Sequence, residues 1–130
     1  MCLATGGPTQ TYAVVTDASG FFTVSVTSLI SGTYNWREKG FRTLANSGTL
    51  VLAGGNTSQE MGAQRGGDAT NDNLVSAPDF NALKTSFGKS PGDPGYDVRT
   101  DFDNSGPVGA SDFNILKGTF GQAGAAVICP

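Results

Sequence analysis

Six of the eight aspartates in residues 67 to 130 fall at repeating places. In a twelve-residue stretch, Asp68, Thr70, Asp72, Leu74, Ser76 and Asp79 stand at positions one, three, five, seven, nine and twelve. Asp101, Asp103, Ser105, Pro107, Gly109 and Asp112 take the same places in a second stretch. Each stretch offers carboxylate and hydroxyl oxygens and, at position seven, a main-chain carbonyl, which Pro107 keeps even without an N–H. Ser76 can hold a water at position nine. An all-oxygen set from one short flexible loop is the donor set of a hard cation, and the one-three-five-seven-nine-twelve spacing is that of an EF-hand calcium loop. Two Ca2+ sites are therefore expected.

The stretches belong to a longer repeat. Residues 67 to 88 laid over 100 to 121 agree at eleven of 22 positions, among them Asn71 with Asn104, Val75 with Val108 and Lys84 with Lys117. Chance does not align so many residue types. Asp79 and Asp112 each open a helix in which Phe80, Leu83 and Phe87, or Phe113, Leu116 and Phe120, recur every three or four residues and make an apolar stripe. Gly88 and Gly121 stop the helices. Two facing stripes are expected to bury a small core, with the cations fixing the loops that aim them. Three carboxylates per loop repel one another without a cation, so this half is expected to lose order in chelator.

Both loops close with Asp where EF-hand proteins usually close with Glu, and the entering segment Gln64-Arg65-Gly66-Gly67 is too glycine-rich for an entering helix. With Asp-Phe-Asn after each loop, residues 67 to 121 resemble a type I dockerin. Thr70 at position three, Asn73 at six and Ser105 at five depart from the family pattern. The resemblance implies a protein partner, a cohesin-like domain, met through Ala77, Pro78, Lys84 and Thr85 in one copy and Ala110, Ser111, Lys117 and Gly118 in the other. Ala77 and Pro78 replace the hydroxyl pair of a cellulosomal dockerin, which favours packing on the chain's own first half.

Ahead of the repeat the apolar period shortens to two. Thr11 to Thr16 and Phe21 to Val26 flank the turn Asp17-Ala18-Ser19-Gly20, Thr33 to Lys39 puts Tyr34 and Trp36 on one side, and Thr49 to Leu52 and Thr57 to Met61 flank Gly54-Gly55. Two hairpins and further short strands imply a small antiparallel β-sandwich. Thr16-Asp17-Ala18-Ser19-Gly20-Phe21-Phe22 and Ser31-Gly32-Thr33-Tyr34-Asn35-Trp36 resemble the carboxypeptidase-regulatory or transthyretin-like sandwich of secreted bacterial proteins. Such sandwiches have about seven strands, and Cys2-Leu3-Ala4 is short for a first one. The apolar tail Ala125-Ala126-Val127-Ile128 could fill an incomplete sheet in its own chain or in the next copy. The chain is thus expected to be α+β: a sandwich over 1–65, two calcium loop-helix repeats over 66–122, and a tail over 123–130.

The acidity is local, since residues 1 to 66 carry three acids against four bases and residues 67 to 130 carry eight Asp against four bases. No basic stripe exists to neutralise phosphates, which excludes nucleic acid as a partner. With no His, no phosphate loop and the Asp clusters accounted for as ligands, no nucleophile pairs with a base, and an enzyme is not expected. Carbohydrate binding would need Tyr12, Tyr34 or Trp36 exposed, and the period places them in the core. No run is long and apolar enough to span a membrane. So few loop charges suit the millimolar calcium outside cells, so an extracellular or cell-surface location is expected, the chain being a mature or excised piece of an exported protein. There Cys2 and Cys129 can close the chain into one loop or join neighbouring copies. Asn56-Thr57-Ser58 is a glycosylation sequon. Two functions follow: a non-catalytic module for protein docking and assembly, or a subunit of a self-assembling extracellular fibre completed by strand exchange between copies, a homopolymer.

Overall fold

The computed structural model describes residues 1–4 and 9–128 of a small α+β protein with antiparallel sheets and two α-helices. Its elements are β1 (Cys2–Ala4), β2 (Gln10–Thr11), β3 (Gly32–Glu38), β4 (Thr43–Leu44), β5 (Asn46–Leu52), β6 (Arg65–Gly66), α1 (Ala77–Ser86), a 3-10 turn (Val98–Thr100) and α2 (Ala110–Thr119). The chain divides into two compact units.

The first unit takes in Met1–Glu38, Asn46–Gly62 and residues 126–128. Its antiparallel sheet runs in the order β2-β1-β3-β5. Alternation along β3 sends Tyr34 and Trp36 inward, 6% and 4% exposed, and leaves Asn35 in solvent, as their spacing predicts. Leu3 lies across from Trp36, and Tyr34 across from Leu50. Gly48 sits opposite Trp36, where a Cβ would come within 2.8 Å of the indole, so the flat ring takes the room a side chain would need. With Leu3, Leu50 and Leu52 these residues make the core, and Tyr12, Val26, Leu29 and Met61 pack against it from segments that form no ladder.

Here the pairing departs from expectation. Thr49 to Leu52 pairs with β3 through the register Thr33↔Val51 to Asn35↔Thr49 instead of turning back on Thr57 to Met61, which forms no strand. The segment Thr11 to Val26 keeps its turn, in which the Gly20 N–H donates to the Asp17 carbonyl at 3.0 Å, and Tyr12, Val14, Phe22, Val24 and Val26 are half-buried in alternation. Beyond the bonds that Tyr12 exchanges with Met1, however, the ladder is not made. Alternation sets which side chains turn inward but does not choose the strand's pairing partner, and β3 is paired by β1 on one side and β5 on the other.

The second unit comprises Ala63–Ala125 together with Lys39–Ala45, the connection between β3 and β5. The boundary expected at residue 65 is thus crossed: residues 39–45 leave the first half, and the tail expected as one piece over 123–130 contributes Ala123 to an antiparallel bridge with Leu74. Within this unit β4 pairs with β6, and Leu44, fully buried, joins Val75, Leu83, Val108 and Leu116 in the core. The four phenylalanines of the helical stripes stay partly exposed, from 38% at Phe113 to 54% at Phe120. The buried core is made by the leucines of the stripes, the loop valines and Leu44, with the phenylalanines at its margin.

Candidate metal centres

Each loop is built by hydrogen bonds from its own backbone to its terminal carboxylates. Asp68 accepts from the Asp72 N–H at Oδ1 (3.0 Å) and the Asn73 N–H at Oδ2 (2.8 Å). Thirty-three residues on, Asp101 accepts from Ser105 (3.0 Å) and Gly106 (3.0 Å) in the same way. Asp79 accepts from the Thr70 N–H and hydroxyl, both at 2.9 Å, and from the Ser76 N–H at 2.8 Å. Asp112 accepts from the N–H groups of Phe102 (2.7 Å), Asp103 (3.2 Å) and Gly109 (2.8 Å). The bonds from Ser76 and Gly109, which precede α1 and α2, let one side chain close the loop and cap the helix.

The sharp reversals inside the loops use left-handed backbone. Asn71 and Asn104 have φ of 63° and 59°, and Asn73, with φ 70°, takes the place that Gly106 fills with φ 99°. Asn is the side-chain-bearing residue that tolerates this region, so Asn73 at position six preserves the turn.

Carboxylates converge as a result. Oxygens of Asp68, Asp72 and Asp79 lie within 4.8 Å of one another, as do those of Asp101, Asp103 and Asp112. Asp68, Asp79 and Asp112 are fully buried and Asp101 is 3% exposed. The hydroxyls of Ser111 and Ser105 hold the Asp103 carboxyl well below the usual carboxylate range. Of the other predicted donors, the Thr70 hydroxyl donates to Asp79 Oδ1 (2.9 Å) and the Ser105 hydroxyl to the Pro107 carbonyl (3.2 Å).

The two repeats are interlocked. Val75 exchanges backbone bonds with the segment after α2, accepting from Gly121 (2.8 Å) and donating to Gln122 (2.9 Å). Val108 does the same with the segment after α1, accepting from Gly88 (2.8 Å) and donating to Lys89 (2.9 Å). Each loop is thus tied to the end of the other helix, in a pattern that repeats with the 33-residue shift.

Sequence reasoning missed the contribution of residues 39–45. The Lys39 Nζ reaches Asp68 Oδ2 (2.8 Å), Asn71 Oδ1 (2.6 Å) and the carbonyls of Thr43 (2.8 Å) and Gly40 (3.2 Å). Arg42 donates to Asn104 Oδ1 (3.0 Å) and the Val98 carbonyl (3.1 Å). The Ala45 N–H donates to Asn73 Oδ1 (2.9 Å). In the second loop Asp101 faces the phenol of Tyr96, whose pKa is raised by burial and by that carboxylate. No local pattern announces contacts across 28 to 62 residues of chain; only the paired Asn71 and Asn104 were visible in the repeat.

The eight residues expected to meet a partner, Ala77, Pro78, Lys84, Thr85, Ala110, Ser111, Lys117 and Gly118, are all exposed. Lys84 and Ala110 line a shallow groove of about 500 Å3 with Phe80, Leu83, Phe87 and Phe113, in which the rings of Phe80 and Phe113 stand 6.3 Å apart. Asn56 of the sequon is exposed. Cys2 is buried and disulfide-bonded, while Cys129 of the expected pair lies outside the described residues. No helix among the described residues is long and apolar enough to cross a membrane.

No protein-family model matches this chain, and no curated protein matches it. Solved structures do. A chain of a C-terminal interface mutant of a type II Cohesin-X-Dockerin complex from Acetivibrio cellulolyticus is similar with a TM-score of 0.66 at 20% identity, over 94% of this chain and 81% of that one. A chain of an N-terminal interface mutant of the type II complex from the same organism gives 0.63 at 21% identity, with the same coverage. The likeness is one of fold.

Proposed function

We propose that this chain is a non-catalytic, extracellular calcium-binding module for protein docking, and that Asp68, Thr70, Asp72, Leu74, Ser76 and Asp79 hold one Ca2+ and Asp101, Asp103, Ser105, Pro107 and Asp112 a second. The observation that carries this reading is the recurrence, at a shift of 33 residues, of one cradle in which buried carboxylates converge. Buried carboxylates are costly unless a positive charge accompanies them, and two equivalent places that each gather three carboxylates, two of them buried, suit a cation. The donors are all oxygen, which suits calcium and offers nothing to a thiolate- or imidazole-seeking metal. Calcium would bring positive charge to both carboxylate clusters. The chain's own residues cap the helices and aim their exposed faces.

The partner is a protein, met by the exposed helical residues and the phenylalanine groove. The solved neighbours come from type II Cohesin-X-Dockerin complexes; the choice of the dockerin side for this chain rests on its repeat. The disulfide at Cys2 agrees with an oxidising, extracellular setting. A second reading, the fibre subunit, is favoured by one feature of the first unit: an open groove of about 1130 Å3 whose walls include Leu3, Phe22, Val24, Val26, Leu50 and Leu52, shaped to accept a strand.

Calorimetric calcium titration, light scattering and surface binding to cohesin domains of both types test these readings together. The docking module takes up two calcium ions per chain, stays monomeric, and binds a cohesin in calcium but not in chelator. Failure to take up calcium would sink the metal assignment. Calcium uptake followed by growth of filaments from the isolated chain would transfer the proposal to the fibre.

A further inference from the structure

The two loops share the backbone bonds to their first carboxylates and differ in what stands against the first aspartate. Asp101 faces a neutral phenol. Asp68 faces an ammonium group, at 2.8 Å. Lys39 is no solvated surface lysine: its side chain is 14% exposed, and its Nζ has four oxygens within 3.2 Å, two carbonyls, an amide and the Asp68 carboxylate. An ammonium carries three donors, so this cage satisfies it completely. The lysine therefore occupies an all-oxygen cation site that borrows one of the three carboxylates of the first loop.

We infer that Lys39 is a built-in counter-ion of the first loop, which keeps that loop closed without calcium and makes it the weaker calcium site of the two. The inference rests on the reading of the loops as calcium sites. Its first half follows because one positive charge already offsets the repulsion among Asp68, Asp72 and Asp79, whereas at the second loop the Arg42 guanidinium is held by Asn104 Oδ1 and the Val98 carbonyl and makes no ion pair with Asp101, Asp103 or Asp112. Its second half follows because calcium must share the lone pairs of Asp68 with an ammonium that repels it. At an effective dielectric constant suited to a partly buried pair, one unit charge a few ångströms from a divalent ion changes affinity by about tenfold or more. Filling is then ordered: the second loop first, the first loop only at higher calcium.

The amide protons of Asn73 and Gly106 report on the loops separately, because each donates to the first carboxylate of its own loop. Calcium titration of the whole chain followed by amide NMR should give a lower midpoint for Gly106 than for Asn73. Lys39→Met, which keeps the stem and removes the charge, should lower the Asn73 midpoint about tenfold and leave Gly106 unmoved, while Asn73 loses hydrogen-exchange protection in chelator. Lys39→Arg, which keeps the charge, should hold the wild-type order. If Lys39→Met does not fold without calcium, it is prepared in calcium and its affinity read by chelator competition. An Asn73 midpoint that stays put or rises in Lys39→Met would make the lysine a merely structural strut and overturn the inference. If wild-type Asn73 and Gly106 ignore calcium altogether, the calcium reading itself is lost, and the inference with it.

Discussion

Asp112 has two tasks that separate under mutation. It accepts three backbone N–H groups at a fully buried position, and it contributes a carboxylate to the second cluster. Asp112→Asn keeps one carbonyl oxygen and loses the charge, so we expect loss of calcium at the second loop with a modest loss of stability. Asp112→Ala strands those donors and should cost about 3 kcal/mol or more even in chelator, measurable by urea unfolding with and without calcium. A second residue-scale prediction concerns acid. Hydrogen bonds from Arg99 hold Asp97 below its ordinary value of 3.8, against a smaller opposing effect of burial. A carboxyl with a depressed folded pKa contributes stability that is present above the unfolded value and disappears as pH falls through the folded one. In chelator, Arg99→Gln should therefore narrow the stability gap between pH 6 and pH 3, in a sequence of denaturant melts. The cradle's outline could be read in advance because twelve-residue spacing and residue type fix which oxygens can converge. Lys39 could not, because an ion pair spanning 29 residues leaves no periodic trace.

At the scale of elements, neither repeat is a folding unit. The Val75 N–H and C=O are satisfied by residues 121 and 122, and those of Val108 by residues 88 and 89. A peptide of residues 67–99 should accordingly stay unfolded by circular dichroism even in millimolar calcium, whereas residues 39–125 retain all the partners of both valines. In the first unit, β3 and β5 depend on the flat contact of Trp36 with Gly48. Gly48→Ala forces the indole aside and should destabilise this unit by about 1 to 3 kcal/mol, visible as a shift in Trp fluorescence unfolding. The two helices, their caps and their stops follow from local signals: Asp at the third helical position, apolar residues three and four apart, and a closing glycine in the left-handed region, Gly88 with φ 78° and Gly121 with φ 82°. The sheet was less legible. Alternation in Thr57 to Met61 matched a strand, but β5 pairs with β3 and Thr57 to Met61 joins no ladder.

For the whole molecule, the segment Lys39–Ala45 decides the organisation. It leaves the sheet after β3, gives Leu44 to the core of the second unit and Lys39 to its first loop, and returns as β5. Leu44→Ala, although it lies in sequence among the strands of the first half, should cost about 2 to 5 kcal/mol and show as lost hydrogen-exchange protection in α1 and α2. The sequence by itself determined the repeat, the two carboxylate sets, both helices, and the inward faces of Tyr34 and Trp36, because each depends on spacing within one turn, one strand or one twelve-residue loop. Only the tertiary structure decided that the phenylalanines stay at the surface, that each loop bonds to the end of the other helix, and that a lysine from the first half stands against Asp68. Those outcomes depend on which distant segment reaches a given space or unpaired group first, and competition among distant segments is not written in any local pattern.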